Sequence, residues 1–464
     1  MRNTCSRNTL VFSIVLALAG NLFVYGQDPD PAAEAISASS ARRLPAWTRS
    51  ELIYEVFPRS FSLKGNLDGV TDGLDRLKSL GVTVLWLMPI HPVGKARRLG
   101  PYGSPYAVQD YYAITPDYGT KDDLRRLINE AHTRGIKVIL DVVADHTSYD
   151  SVMMSHPDFY EHDKNGQLVS PHGWSDVAAL NYANPALRRY MVDMLLYWVK
   201  DFGVDGYRCD AAGMVPTDFW EQARAELDKV SPNLLMLSEA SKPELERNAF
   251  SLDYAWPLLS TLDEVLIKGA SASEVRRTIE TQQKRFPKGA AHMLISDDHD
   301  TQRAVVRYGA PAALASSALM FTLDGVPLLY SGMEVGDATP TAGPALFESL
   351  KIYWPTSQIR PDFKKFYSFI IPFRAQHPAL WQGELVWLHN SDEQHVVTFL
   401  RRVKDEEILV TINLSNTPFR GTVEAGNGAW REIEEPLSHP SQGALPAIAL
   451  DAFQFRIFER AIAQ

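Results

Sequence analysis

Gly203-Val204-Asp205-Gly206-Tyr207-Arg208-Cys209-Asp210-Ala211 is the stretch on which the fold turns. Val204 to Cys209 reads as a short strand. Arg208 and Asp210 are two apart and point to the same side of an extended chain, whereas Cys209 faces the opposite way, toward covering helices. On either side of it, short apolar runs alternate with longer amphipathic segments, the pattern of repeated strand and helix units around a parallel sheet. Ile53 to Phe57, Val82 to Met88, Ile136 to Val143, Leu234 to Leu237, His292 to Ile295 and Val326 to Tyr330 are the other predicted strands. Gly73 to Leu80, Lys121 to Arg134, Pro185 to Asp201, Asp218 to Val230 and Phe363 to Gln376 carry helical apolar spacing. About eight such units predict an α/β fold, a closed TIM (β/α)8 barrel.

Two regions depart from this rhythm. Between about 147 and 182, after the third strand, the chain is rich in His, Asp, Gly, Pro and Ser, which predicts a short inserted excursion on the face where binding loops belong. From 378 to 464 the pattern becomes short alternating stretches, with strands expected at Leu385 to Leu388, Gln394 to Phe399, Ile408 to Ile412, Ala429 to Ile433 and Phe453 to Phe458. These predict a C-terminal antiparallel β domain appended to a catalytic barrel spanning 46–377. No internal repeat or low-complexity tract interrupts either part.

At the start, Arg2 and Arg7 precede an apolar run from Leu10 to Gly26, followed by the polar Gln27-Asp28-Pro29-Asp30-Pro31. This is the layout of a secretory signal peptide over 1–26, with 27–45 as a linker, and it predicts a secreted or periplasmic protein. A membrane anchor is disfavoured because the run is short and interrupted by Asn21. Removing the segment takes the formal charge from −10 to −12 by deleting two arginines and no acid. Cys5 goes with it, so Cys209 is the only thiol of the expected mature chain and no intramolecular disulfide can form. With no activating His beside it, Cys209 reads as a buried structural residue. The balance of 46 basic against 56 acidic side chains argues against a nucleic-acid partner and suits a neutral substrate.

Reactive groups of such barrels sit at the carboxyl ends of strands, and three strand ends supply one carboxylate each. Asp210 is the first, with Arg208 beside it to favour the ionised form that a nucleophile needs. Glu239, in LLMLSEAS, follows four apolar residues, so partial desolvation should raise its pKa toward the range of a proton donor. Asp300, in LISDDHDTQ with His299 beside it, is the third. Each alone reads more simply as a helix N-cap or surface acid, but three together at strand ends favour a site. Two carboxylates flanking a bond are the working parts of glycoside hydrolysis. No Gly-rich phosphate loop and no catalytic-zinc spacing is present.

At these residues the chain resembles the alpha-amylase family of glycoside hydrolases. DVVADHT (Asp141 to Thr147), GYRCDAA, LSEAS and SDDHD resemble the family's four ordered motifs, and YEVFPRSF, LGVTVLWLMPI, YAVQDYYAITPDYGT and GVPLLYSGMEVG extend the likeness over nearly all of the barrel. The resemblance implies Asp210 as nucleophile, Glu239 as acid/base and Asp300 as the carboxylate that grips sugar hydroxyls. It places Arg208, His146 and His299 around the sugar being cleaved, and Tyr106 beneath it as an aromatic platform rather than a turn aromatic in core contact. Asp110 reads either as structural or as part of the same pocket. Asp141 is expected to pair with Arg208 below the pocket. Trp174, in the excursion, is a candidate for sugar stacking as well as for simple packing. The implied activity is double displacement with retained configuration on α-glucosidic bonds in starch-derived glucans or maltooligosaccharides. Transglycosylation or isomerisation of α-glucosides is the alternative.

Three departures from the family pattern carry expectations of their own. Asp145 and Asp298 stand where Asn is usual before the motif histidines, and Ala211-Ala212-Gly213-Met214 lacks the Lys-His pair that holds the leaving-group side. Many members hold a structural calcium between barrel and excursion. With Asp145 for Asn and Gly213 at a His position, the expectation here is no cofactor and no tightly bound calcium, Asp145 being hydrogen-bonded to protein groups instead. A non-catalytic, carbohydrate-binding use of the fold is disfavoured, because all three carboxylates are retained and no apolar span follows the leader. Linkage, endo or exo action and oligomeric state are not encoded legibly.

Overall fold

The computed structural model describes residues 31–461 apart from 49, 427, 435 and 438–442. The expected signal peptide over 1–26 lies outside the described residues. Eight parallel strands close into a barrel: β1 (Ile53–Val56), β2 (Val84–Leu87), β3 (Lys137–Val143), β6 (Gly206–Asp210), β7 (Leu235–Ser238), β8 (Leu252–Tyr254), β9 (His292–Leu294) and β10 (Val326–Tyr330). Two further strands, β4 (His146–Ser148) and β5 (Val177–Ala179), pair antiparallel. The excursion is therefore a hairpin rooted at the end of β3, with short 3-10 turns between its strands.

β8 is the strand that the alternating pattern did not mark. Asp253 sits in the middle and breaks the apolar run, whereas the equally short β9 continues as Met293-Leu294-Ile295. Leu252 and Tyr254 point into the barrel with Ile53, Val84, Trp86, Ile139, Leu235, Leu237 and Met293. Asp253 points out to the helices, where it pairs with His292. The helices Trp256–Leu266, Ser273–Arg285 and Ala310–Thr322 also go beyond the sequence reading. The last of these is buried on nearly every side, from Ala312 to Thr322, so it has no apolar stripe to read.

The period of two along each strand decides what reaches the site. In β1 and β3, Ile53 and Ile139 fill the barrel interior, and Glu55 and Asp141, two residues on, carry the same inward direction to the carboxyl end. In β6 the inward set is Gly206, Arg208 and Asp210, while Tyr207 and Cys209 join the core under the helices. Gly206 has no substitute: a Cβ there would lie 2.1 Å from the Leu235 carbonyl oxygen. Cys209 is buried and free, as its outward direction requires.

The stretch read as a linker is more ordered than expected. It holds a helix at Pro31–Ala38, and Arg42 pairs with Asp228. The C-terminal part is a five-stranded antiparallel sheet in the order β11 (Glu384–Trp387), β12 (Val396–Val403), β13 (Glu406–Asn413), β17 (Phe455–Ala461) and β15 (Arg431–Glu432). A separate pair, β14 (Phe419–Thr422) with β16 (Ala447–Leu450), had no signal in the sequence reading. One face of the large sheet, with Phe399, Ile408, Val410 and Ile457, joins the barrel's own core. The other face closes with the small pair over Leu400, Leu409, Phe419 and Ile448. Arg374, on the last barrel helix, is buried and donates to the carbonyls of Phe321, Leu323, Gly325 and Leu380, tying that helix to the chain before β10 and to the short helix that precedes β11.

Candidate active site

Arg208 is the hub at the carboxyl ends of the strands. It is fully buried, and its Nη1 donates to Asp141 at 2.9 Å and to Asp210 at 2.8 Å, while its Nε donates to the Tyr254 hydroxyl at 3.1 Å. Its Nη2 lies 2.9 Å from Glu239. One planar guanidinium thus holds carboxylates from three strand ends in fixed relation. Trp86 and Tyr106 present ring faces to it, with its central carbon 5.2 and 5.7 Å from their centroids.

Asp141 performs the anchoring task expected of it. Besides Arg208 it accepts the Trp86 indole N–H at 3.1 Å and the Tyr106 hydroxyl at 3.2 Å. That same tyrosine oxygen lies 2.6 Å from His299 Nε2. The His299 ring stacks on Tyr106 at 5.5 Å and places Nδ1 2.5 Å from Glu55, with Nε2 also 3.2 Å from Asp300. Burial opposes charge on His299, but Asp300 and Glu55 outweigh it and hold the imidazole well above its ordinary value. As an imidazolium it donates to Glu55 on one side and to Tyr106 and Asp300 on the other.

The three carboxylates titrate differently because their surroundings differ. Burial raises Asp210 to about 6 despite Arg208, and the nearby charges of Asp145 and Asp141 add to the rise. The arginine favours the ionised form, as expected, but burial outweighs it, so it moderates the shift without reversing it. Glu239 is pushed well above the usual carboxylate range, first by burial and then by Asp210 and Asp300, against the pull of Arg208. Its Oε2 accepts the Ala211 N–H at 2.8 Å. Ala211 has a left-handed φ of 43°, uncommon for a residue with a Cβ, and this turn carries the N–H that meets Glu239. Burial raises Asp300 as well, yet His299 outweighs it and holds this carboxylate below its ordinary value.

The residues singled out from sequence, Tyr106, His146, Arg208, Asp210, Glu239, His299 and Asp300, are thus all brought to one end of the barrel. Asp110 is not in contact with them: its Oδ1 accepts the Tyr112 N–H at 2.9 Å, a turn role. Trp174 is 41% exposed and sits edge-on to His146 at 5.5 Å. Glu55, Trp86 and Tyr254 belong to the site but were not proposed from sequence. The available signal for Glu55 was a lone acid within an apolar strand, Ile53-Tyr54-Glu55-Val56.

The acidic and imidazole side chains gathered at Asp145 do not by themselves make up a calcium site. Ligand atoms of Asp145, His146 and Asp210 lie within 4.8 Å of one another, which offers two carboxylates and one nitrogen where calcium takes about six to eight oxygens. Neither Asp145 oxygen accepts a hydrogen bond, so the expected network of protein donors is replaced by one ion pair, with His146 Nδ1 at 2.9 Å. Burial opposes charge on His146, but Asp145, then Asp210 and Asp176, hold it above its ordinary value.

Residues 47–176 and 160–384 match the family described as Alpha amylase, catalytic domain. The chain belongs to the alpha-amylase family of glycoside hydrolases. Within the family it is 30% identical over 402 residues to Alpha-amylase MalA of Haloarcula japonica, an alignment covering 82% of this chain and 58% of that protein. It is 25% identical to the Intracellular maltogenic amylase of Bacillus subtilis, covering 85% of this chain and 74% of that one. An alpha-amylase from Lactobacillus plantarum superposes with a TM-score of 0.78 at 30% identity, covering 89% of this chain and 99% of the other. The fold is thus shared with that alpha-amylase over most of this chain.

Proposed function

We propose that the protein hydrolyses α-glucosidic bonds in starch-derived glucans or maltooligosaccharides by double displacement. The observation that carries this reading is the shared guanidinium of Arg208, which holds Asp210 and Glu239 at 2.8 and 2.9 Å beside a less buried Asp300. Glu239, kept protonated by its surroundings, gives its proton to the glycosidic oxygen as that bond breaks. Asp210 attacks the sugar carbon from the other side and forms the covalent glycosyl intermediate. Glu239, now ionised, takes a proton from water, and the attacking hydroxide displaces Asp210 with net retention. Asp300 accepts hydrogen bonds from sugar hydroxyls, Tyr106 offers a ring face, and His146, Arg208 and His299 line the same sugar. No step uses a metal.

Transfer to a second sugar in place of water is the second reading, favoured by Trp174, an exposed ring against His146 where an acceptor could rest. Incubation with starch, maltooligosaccharides, cyclic dextrins, pullulan, isomaltose, sucrose and trehalose, followed by product analysis, tests both. Reducing sugar of retained anomeric configuration from the glucans supports hydrolysis, and longer oligosaccharides support transfer. No product from any of them refutes the proposal. We further propose export as a soluble protein with an N-terminus near Gln27, on the charge and apolar layout of the first 31 residues. Native material that retains Met1, or that partitions wholly into membranes, would contradict this.

A further inference from the structure

We propose that Asp298 is a neutral positioning residue, whose uncharged carboxyl group fixes the turn bearing Asp300 and leaves Asp300 as the anion that this turn presents to the sugar. The proposal rests on the reading of Asp300 given above. Asp298 is fully buried. Its Oδ1 accepts the backbone N–H groups of Asp300 at 3.2 Å and Thr301 at 2.9 Å, and its own N–H donates to the Thr301 hydroxyl at 3.2 Å. The turn is anchored in turn by Thr341, which donates to the Thr301 carbonyl at 2.9 Å.

The other oxygen, Oδ2, is buried and has no hydrogen-bond partner. Among the described residues Asp298 makes no ion pair. The charged and titratable groups facing it are Asp297, His299, Asp300 and Arg307 on its own segment, Glu55 on β1, Tyr254 on β8 and Tyr330 on β10. His299 is the cation at hand, and it is already engaged by Glu55 and Asp300. A bare carboxylate with one oxygen unpaired in such a place costs far more than a neutral acid. Burial, then the charge of Asp300, raise Asp298 above the ordinary range, while Asp300 sits below it. Two carboxyl groups in one turn are thereby pushed apart, so that the 35% exposed Asp300 keeps the charge and the enclosed Asp298 keeps the proton.

The test compares D298N, D298A and the wild type. Asn keeps the acceptor oxygen and is neutral at every pH, so D298N should retain kcat within about twofold at acidic pH, whereas D298A should lose about tenfold or more with the turn. Two readouts need no substrate. The unfolded chain releases this proton near about pH 4, the native protein only higher, so wild-type stability falls across that interval and the D298N minus wild-type difference in Tm should widen as pH rises. A protonated-carboxyl stretch in the infrared spectrum should be present in the wild type and lost in D298N. A Tm difference that stays flat with pH, no band lost, or D298N as inactive as D298A would each overturn the proposal. An active D300N would instead sink the reading of Asp300, and leave the thermal and infrared results on Asp298 standing.

Discussion

Replacing Glu239 with Gln removes the proton that the mechanism spends on the leaving group and little else. Gln keeps an oxygen to accept the Ala211 N–H, now made at 2.8 Å, and sets a neutral amide where the neutral acid lies 2.9 Å from Arg208. Arg208 retains Asp141 and Asp210, so it is not left bare. General acid catalysis is worth about 10²- to 10⁴-fold, so kcat/KM on maltooligosaccharides should fall by that factor, or about 3 to 5 kcal/mol. An aryl maltoside with a good leaving group needs little protonation, and its first step, followed as a burst of released phenol, should slow by less than about tenfold. Because Glu239 is held well above its ordinary value by burial and by Asp210, the wild type loses stability as pH rises past about 4, where the unfolded glutamate ionises. Gln has no such dependence, so Tm of the variant should gain on the wild type from mildly acid to neutral pH. Equal losses on the activated and the natural substrate would refute the acid role, whatever the stability data show.

Asp210→Ala should abolish turnover while leaving the circular dichroism spectrum intact, because it removes the attacking group from a site rather than a packing contact; activity within about tenfold of wild type would sink the assignment. Exhaustive chelation should leave Tm and activity unchanged, since Asp145 pairs with His146 and these side chains alone fall short of a calcium shell; a large drop restored by added calcium would refute this. Arg374→Met should cost several kcal/mol, because it strips three buried carbonyls and one partly buried one of their donor, with each orphaned buried group worth about 1 to 3 kcal/mol. Equilibrium denaturation measures this, and a loss under about 1 kcal/mol would mean that these carbonyls are satisfied without Arg374.

What the sequence by itself determined is what local spacing can carry. Barrel strands of four residues or more announce themselves by apolar runs, and the two-residue offset in Arg208-Cys209-Asp210 assigns inward and outward faces before any fold is known. The motifs resemble those of one family in order, which named Asp210, Glu239 and Asp300 at once. The short strand at Leu252–Tyr254 and the fully buried helix at Ala310–Thr322 escaped for different reasons: Asp253 breaks the apolar run of the first, and the second has no polar face to set a period. Tertiary structure alone decided who meets whom. Glu55 and His299 lie 244 positions apart, and Tyr106 and His299 193 apart. No local pattern couples them, yet Glu55 adds to the neighbouring Asp300 in holding the charge on His299. The state of Asp210 follows the same rule. Its neighbour Arg208 is legible in the sequence, but burial, with Asp141 and Asp145 converging from β3 and the loop that follows it, outweighs that neighbour, because the cost of charge depends on everything that excludes water and not on the next residue along the chain.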